Sequence, residues 1–280
     1  METAAECIAR MSAPLKTVSD TPRLDAELLL SHALGMSRAS LLARLREPVQ
    51  TAPVAPLLER RLNYEPLAYI FGEWEFYGLP IIVQPPLLTP RPETEHLVEA
   101  ALNFIGATGP KGPRIADICC GTGCVAVAIA RHAPGAVVYA ADIRPDALRV
   151  TQLNAARHQV ALRCVQADLL TAMERDDPPL DIVVANPPYV PEGEWNMLSP
   201  VIIRHEDPGA LLAGVDGLES IRCLIPQARR SLRPGGLLAI EIGDGQYDAA
   251  AELMAAQGFF ELDCIRDLAG IRRIIRGSCP

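Results

Sequence analysis

The sequence predicts an α/β fold in which a mostly parallel, helix-covered sheet follows an N-terminal helical bundle. From Pro113 onward, short runs rich in valine and isoleucine alternate with helical patterns, which is the spacing of βαβ units. Ahead of them, leucines recur at helical spacing in the first part of the chain. We therefore divide the chain into a helical domain (1–66), a β-hairpin linker (67–88) and an α/β domain (89–280).

The helical domain and the linker are predicted from local signals. Thr21-Pro22 supplies a helix N-cap and a first-turn proline, and Gly35 ends the same helix. Further short helices are expected at 37–45 and 53–62. Within 67–88, short runs of aromatic and β-branched residues favour a hairpin.

The α/β domain is predicted to begin with a helix at 94–104 and to alternate between strands and helices after it. The expected strands are 114–119, 136–141, 162–166, 181–185, 237–242, 261–266 and 272–275. The expected helices between them are 123–131, 145–158, 218–231 and 248–257. Sheets of this kind bind ligands at the carboxyl ends of their strands, so the residues that follow each strand are candidates for a site.

Composition argues against several classes of protein. The net charge of −8 and the pI near 5.2 disfavour sequence-independent binding to nucleic-acid phosphates. No apolar run reaches the length of a membrane span, and the N-terminus lacks a signal-peptide pattern, so we expect a cytoplasmic protein without membrane association. The eight cysteines are then reduced thiols. Because Cys119, Cys120 and Cys124 lack the CxxC pairs of a zinc site, we expect no metal.

The first two strands of the α/β domain are each followed by a carboxylate. Asp117 lies ahead of the turn Gly121–Gly123, which opens a helix and lets a ligand approach the backbone. This turn is not the dinucleotide fingerprint, because Ala126 replaces its third glycine. Asp142 ends the second strand, where a carboxylate can accept hydrogen bonds from both hydroxyls of a ribose.

The next two strands are followed by Asp168 and Asn186. Asp168 could accept a hydrogen bond from an adenine amine, and Leu169 beside it could cover the ring. Asn186 opens the motif Asn-Pro-Pro-Tyr, whose prolines fix φ and carry no N–H. Asn186 and the nearby carbonyls are thereby left as a rigid set of acceptors. Such a set suits the NH2 group of an amide or of an exocyclic amine.

These residues, in this order, resemble those of the class I methyltransferases that use S-adenosylmethionine and act on amino groups. Four further motifs make the chain similar to the release factor glutamine methyltransferases, the PrmC/HemK family: Asp25–Leu29, Glu65–Gly78, Pro90–Glu95 and Arg266–Ile271. The resemblance covers nearly the whole length. It implies a seven-stranded Rossmann-like sheet behind an N-terminal helical bundle. We expect this bundle to recognise the protein substrate or to pack on the second domain.

The resemblance also implies a site and a reaction. The residues expected to bind S-adenosylmethionine are Asp117, Cys119, Cys120, Gly121, Thr122, Gly123, Asp142, Asp168, Leu169 and Asn186. The residues expected to bind the substrate and to carry catalysis are Asn186, Pro187, Pro188 and Tyr189. The implied reaction methylates the glutamine amide in the Gly-Gly-Gln motif of peptide chain release factors, without direct binding to nucleic acid.

Two positions depart from the family pattern. Cys119-Cys120 stands where the family usually has Gly-Thr or a similar pair, and a side chain at 119 narrows the space beside the methionine part of the cofactor. Leu169 stands where the family often has an aromatic residue, and it stacks less well on adenine. Neither departure touches Asn186–Tyr189.

An amide nitrogen is a poor nucleophile, so positioning is the expected contribution of the protein. We expect the Asn186 side-chain oxygen and the Pro187 carbonyl to accept the two amide hydrogens, while Tyr189 packs on the glutamine side chain. Three alternatives stay open. They are a glutamine methyltransferase of a ribosomal protein, an adenine-amine DNA methyltransferase and a non-catalytic cofactor-binding adaptor.

Overall fold

The computed structural model describes residues 2–173 and 179–280, and within them the chain forms two compact units. The helical unit runs from the N-terminus to Glu73 and also includes Leu198–Glu206. The larger unit comprises Trp74–Met197 and Asp207–Pro280. The helical unit is therefore assembled from two separate parts of the sequence.

The helical unit is built from short amphipathic helices. They are α1 (Ala4–Leu15), α2 (Pro22–Ala33), α3 (Arg38–Leu42), α4 (Ala55–Leu62) and α5 (Leu67–Phe71). Met11, Leu29 and Leu41 lie in its apolar core. Among them, the buried Arg61 guanidinium contacts the buried Asp25 carboxylate at 2.7 Å, so this ion pair is shielded from water.

The predicted linker differs from the structure in its first part. Leu67–Phe71 is helix α5, which begins after Pro66 and ends at Gly72, whose φ of +75° is the left-handed conformation of a helix C-cap. The two-stranded sheet that follows consists of β1 (Glu73–Phe76) and β2 (Leu79–Ile82). The aromatic residues of 67–71 favour a strand locally, but the proline and glycine that flank them set a helical turn.

The larger unit alternates strands and helices as predicted. Its strands are β3 (Arg114–Ile118), β4 (Val137–Asp142), β5 (Leu162–Gln166), β6 (Leu180–Ala185), β7 (Leu232–Glu241), β8 (Phe260–Arg266) and β9 (Arg272–Ser278). Its helices are α6 (Glu95–Thr108), α7 (Cys124–His132), α8 (Pro145–Arg157), α10 (Glu219–Ser231) and α11 (Tyr247–Ala256). Helix α9 (Pro200–His205) belongs to the segment that completes the helical unit, where the His205 imidazole lies 3.2 Å from the Asn63 carbonyl.

The seven strands form one sheet in the order β5-β4-β3-β6-β7-β9-β8, which confirms the predicted mostly parallel architecture. The pairs from β5 to β7 are parallel, and β9 runs antiparallel to both of its neighbours. The chain moves from β3 towards β5, then returns to the other side of β3 with β6. The strand order therefore reverses between β3 and β6, which is where open α/β sheets bind ligands.

Both faces of the sheet are covered, and this explains the continuous apolar runs of its central strands. Successive side chains of a strand point to opposite faces. Ile115 packs in a cluster with residues of α6 and α7, while Ala116 packs in another with residues of α10 and α11. Each fully buried large aliphatic side chain contributes roughly 1.5–3 kcal/mol. Because side chains on both faces are buried, the polar residues of the central strands lie at the strand ends.

Across residues 2–173 and 179–280, no helix combines the length and the apolar character needed to span a membrane.

Candidate functional site

A cleft with a volume of about 280 Å³ opens at the carboxyl ends of β3, β4 and β6. The structure brings most of the predicted site residues into its lining: Asp117, Cys119, Cys120, Gly121, Thr122, Asp142, Asp168, Leu169, Asn186 and Pro188. Gly123, Pro187 and Tyr189 are not among the lining residues. Residues that sequence reasoning did not select also line it, among them Leu87, Arg91, Thr94, Ile143, Arg144 and Leu212.

The loop between β3 and α7 is held from within the protein. The Ala126 N–H, at the start of α7, donates to Asp117 Oδ2 at 3.0 Å. Burial raises the pKa of Asp117 to about 8, since it removes the carboxyl group from water. Asp117 therefore organises the backbone of the loop, and it uses one of the N–H groups that a helix start leaves without an intrahelical partner.

The vicinal cysteines are neutral packing groups. Cys119 adopts φ of +60°, a left-handed conformation that favours glycine. Cys120 is buried, and its sulfur lies 3.5 Å from the Thr151 hydroxyl. Burial raises the pKa of both thiols, so neither forms a thiolate near neutral pH.

The Asp142 carboxylate is held in one orientation by two backbone donors. The Gly121 N–H donates to Oδ2 at 2.9 Å, and the Arg144 N–H donates to Oδ1 at 3.0 Å. Burial raises the pKa of Asp142. A carboxylate oxygen can accept more than one hydrogen bond, so each retains capacity for a ligand hydroxyl. Ile143, which follows, keeps 63% of its surface exposed and lines the cleft with Leu169.

Asn186 belongs to a chain of side-chain hydrogen bonds. Its Nδ2 group donates to the Thr94 hydroxyl at 3.2 Å, and the Thr94 hydroxyl donates to Glu241 Oε2 at 2.7 Å. The Tyr189 hydroxyl donates to the other oxygen of Glu241 at 3.3 Å. Glu241 is 1% exposed, and burial raises its pKa to about 7. Burial also raises the pKa of Tyr189, whose hydroxyl stays protonated.

The backbone of the Asn-Pro-Pro-Tyr segment is held as well. Gln246 Nε2 donates to the Tyr189 carbonyl at 2.9 Å, and the Gly243 N–H donates to Gln246 Oε1 at 2.8 Å. Beyond it, the Val190 N–H donates to the Leu211 carbonyl at 2.7 Å. The segment is therefore held at Asn186 by its side chain and at Tyr189 by both its side chain and its backbone carbonyl.

Thr94, Glu241 and Gln246 are the residues of this arrangement that sequence reasoning missed. Thr94 lies in the Pro90–Glu95 motif, but no spacing argument assigned it a role. Glu241 directly follows the buried apolar run 237–240 at the end of β7, and a carboxylate in that position is a signal that could have identified it. Within residues 2–173 and 179–280, no group of three or more His, Cys, Asp or Glu side chains is arranged to hold a metal ion.

Comparisons with known proteins agree with this geometry. The model of the PrmC N-terminal domain matches residues 6–72, and that of the methyltransferase small domain matches residues 94–204. The release factor glutamine methyltransferase of Coxiella burnetii is 39% identical over 276 residues, which cover 96% of each chain. Its counterpart from Bordetella pertussis is 40% identical over 259 residues, covering 91% of this chain and 94% of the relative.

Solved structures share the fold of much of the chain at low identity. The catalytic domain of human Mettl16 in complex with an RNA hairpin is 16% identical, with a TM-score of 0.58 over 79% of this chain and 81% of that chain. The T. thermophilus 16S rRNA methyltransferase RsmC, in complex with AdoMet and guanosine, is 17% identical, with a TM-score of 0.54 over 74% of this chain and 50% of that chain. At such identity the likeness shows the fold alone.

Proposed function

The chain belongs to the release factor glutamine methyltransferase family, and we propose that it methylates the glutamine amide in the Gly-Gly-Gln motif of peptide chain release factors. The observation that carries the proposal is the orientation of Asn186. Its NH2 group is bonded to Thr94, so its side-chain oxygen is left to accept a hydrogen from a substrate amide. A substrate of this kind implies an enzyme of the cytoplasm.

The residues of the cleft fit S-adenosylmethionine, which when bound supplies an electrophilic methyl group. Asp142 would hold the ribose hydroxyls, since two backbone N–H groups fix its carboxylate at the cleft. Ile143 and Leu169 would cover the adenine ring, and Asp168 would accept from its amine. The backbone of 119–123 would lie beside the methionine part. Here Cys119, which lines the cleft, narrows the space.

In the proposed reaction the protein acts mainly by positioning. The Asn186 side-chain oxygen and the Pro187 carbonyl accept the two hydrogens of the substrate amide, which directs the nitrogen lone pair into the cleft. Tyr189 packs on the glutamine side chain. Holding reacting groups near 3 Å and in line contributes roughly 7–11 kcal/mol in favourable cases. A strong base is not required before transfer, because the proton becomes acidic once the nitrogen is methylated.

The domain roles belong to the same proposal. Residues 1–66 recognise the release factor and residues 89–280 carry the chemistry. Residues 67–88 connect these two parts, and the first of them form helix α5, whose Ile70 packs in the core of the helical unit. The match of residues 6–72 to the PrmC N-terminal domain supports a family-specific role for the helical part.

One labelling assay tests the proposed function. The protein is incubated with methyl-labelled S-adenosylmethionine and, in separate reactions, a release factor, the same factor with the motif glutamine replaced by alanine, ribosomal protein or duplex DNA. We expect label on the intact release factor alone. Label on ribosomal protein or DNA would support the corresponding alternative enzyme. Cofactor binding without label on any substrate would support a non-catalytic adaptor.

A further inference from the structure

Asn186 is connected to a buried carboxylate that no step of the proposed reaction uses. Thr94 and Glu241 are both buried, and Thr94 lies between Asn186 and Glu241 in the chain of hydrogen bonds. The distances are 3.2 Å from Asn186 Nδ2 to Thr94 Oγ1 and 2.7 Å from Thr94 Oγ1 to Glu241 Oε2. A change in the protonation of Glu241 can thus alter the hydrogen bonds of Asn186, whose side chain is proposed to hold the substrate amide.

The chemistry of these groups fixes the direction of each bond. An ionised carboxylate only accepts hydrogen bonds, so both the Thr94 and the Tyr189 hydroxyls must donate to Glu241. A threonine hydroxyl has one proton, and Thr94 has used it on Glu241. Its oxygen can then only accept from Asn186, which turns the NH2 group of Asn186 towards Thr94 and its Oδ1 away from it.

We propose that Glu241 is a positioning residue that acts through Thr94 to hold the Asn186 amide with its oxygen towards the substrate. The proposal rests on the proposed function, because it gives the orientation of Asn186 a purpose. Without Glu241 and Thr94, the two ends of the Asn186 amide could exchange. An exchanged Asn186 would present NH2 to the NH2 of the substrate, and neither group could accept.

Protonation of Glu241 reverses the direction of the hydrogen bonds between Glu241, Thr94 and Asn186. A protonated carboxyl group can donate to Thr94, which then donates to Asn186 and draws the Asn186 oxygen away from the substrate. The pKa of Glu241 is raised to about 7, mainly by burial and to a lesser extent by Glu93, while hydrogen bonds from the Thr94 and Tyr189 hydroxyls and the charge of Arg273 oppose the rise. The orientation of Asn186 should therefore change near neutral pH, with the productive form favoured on the alkaline side.

The first experiment compares Thr94→Val with Thr94→Ser in the full chain, with far-UV circular dichroism to check folding. Valine keeps the shape but removes the hydroxyl, whereas serine keeps the hydroxyl. We expect Thr94→Val to lower kcat for release factor methylation at least about tenfold, with KM changed much less, because an oriented hydrogen bond to a charged group is lost. Thr94→Ser should stay within about threefold of the wild type. Equal kcat for Thr94→Val and the wild type, or equal losses in the two variants, would overturn the proposal.

The second experiment reads the orientation of Asn186 without activity. The side-chain amide resonances of Asn186 are followed by nuclear magnetic resonance from pH 5.5 to 8.5, and they are assigned by their loss in Asn186→Ala. We expect a titration with a midpoint near the pKa of about 7 in the wild type. It should persist in Tyr189→Phe and disappear in Glu241→Gln and Thr94→Val. A titration that survives in Thr94→Val, or one that disappears in Tyr189→Phe, would refute the route through Thr94.

The two readouts separate the two hypotheses. If Asn186 titrates as expected but no release factor is labelled, the proposed substrate is wrong and the positioning role of Glu241 still stands. If the release factor is labelled but the Asn186 resonances do not titrate, the positioning role of Glu241 is wrong and the proposed function still stands.

Discussion

At the scale of single residues, three carboxyl groups with different partners surround the site: Asp117 and Asp142 line the cleft, and Glu241 contacts the lining residue Thr94. Asp117 accepts from the start of α7, Asp142 accepts from two loop N–H groups, and Glu241 accepts from two side-chain hydroxyls. Burial raises the pKa of all three. Because each carboxyl group accepts hydrogen bonds from donors that are fixed in the structure, we infer that these carboxyls orient neighbouring parts of the protein or the ligand. We do not expect them to act as nucleophiles.

The roles of Asn186 and Asp142 can be separated by substitution. Asn186→Ala removes the acceptor for the substrate amide, so we expect kcat to fall by about a hundredfold or more while cofactor affinity stays within about threefold. Asp142→Ala removes the carboxylate at the ribose position, so the Kd for S-adenosylmethionine should rise at least about tenfold. Calorimetry and steady-state kinetics measure the two effects. Equal losses of both quantities in Asn186→Ala, or unchanged affinity in Asp142→Ala, would contradict this division.

At the scale of elements, the turn that joins β3 to α7 determines the shape of the cleft. Gly121 and Gly123 both have positive φ, at +54° and +76°. A Cβ at Gly123 would lie 2.6 Å from Thr151 Cγ2, whereas a Cβ at Gly121 would meet no atom within 4 Å. Helix α8, which carries Thr151, thus packs directly on the backbone of the turn, and only glycine allows this approach.

Alanine at these two glycines separates backbone strain from steric overlap. Gly121→Ala should cost about 1–2 kcal/mol of unfolding free energy, from the left-handed conformation alone. Gly123→Ala should cost roughly a further 1–3 kcal/mol, because the new methyl group overlaps Thr151. Urea unfolding measures both, and Thr151→Ala should recover part of the loss in the Gly123→Ala background. Equal costs for the two substitutions would show that α8 moves aside freely.

The elements themselves follow closely from sequence patterns, and the exceptions have physical reasons. Strands β3, β4 and β6 are mostly buried, and their apolar runs predicted them within one or two residues, whereas the edge strand β5 is half exposed and was predicted from its spacing in the βαβ pattern. Helix α5 was predicted as a strand, because aromatic residues outweighed the flanking proline and glycine. The contacts of Glu241 come from residues 52 and 147 positions away, and no local pattern encodes such pairs. Asn186 was found because its motif is contiguous.

At the scale of the whole molecule, the net charge of −8 conceals two kinds of acidic residue. The first kind comprises Asp117, Asp142 and Glu241, whose pKa values are raised mainly by burial. The second kind comprises carboxyls beside arginines, such as Glu65 with Arg60 and Asp146 with Arg144, whose pKa values are lowered mainly by hydrogen bonds from those arginines. Because the two kinds shift in opposite directions, they act on stability at opposite ends of the pH range.

These shifts predict the pH dependence of stability for the ligand-free protein. A carboxyl with a raised pKa stabilises the folded state below its unfolded pKa of about 4, and that contribution is lost as pH rises through the folded value. For Asp117 and Glu241 the loss extends up to about 8 and about 7. The arginine-paired carboxyls contribute above a pH of about 4 and lose their contribution below it. Stability should therefore be greatest near pH 4 to 5, should decline as pH rises towards about 8, and should level off above that pH.

Asp117→Asn is the variant that tests this prediction. Asparagine keeps an oxygen that can accept from the Ala126 N–H but cannot ionise, so the decline in Tm between pH 5.5 and 8.5 should become shallower. Each kcal/mol corresponds to roughly 2–4 °C in a chain of this size. Asp244→Asn makes the same chemical change at an exposed site of the same unit and should leave the decline unaltered. Calorimetric scans at closely spaced pH values measure Tm for both variants. If the curves of Tm against pH were parallel for the wild type and Asp117→Asn, ionisation of Asp117 would cost the folded protein no stability, and the prediction would be wrong.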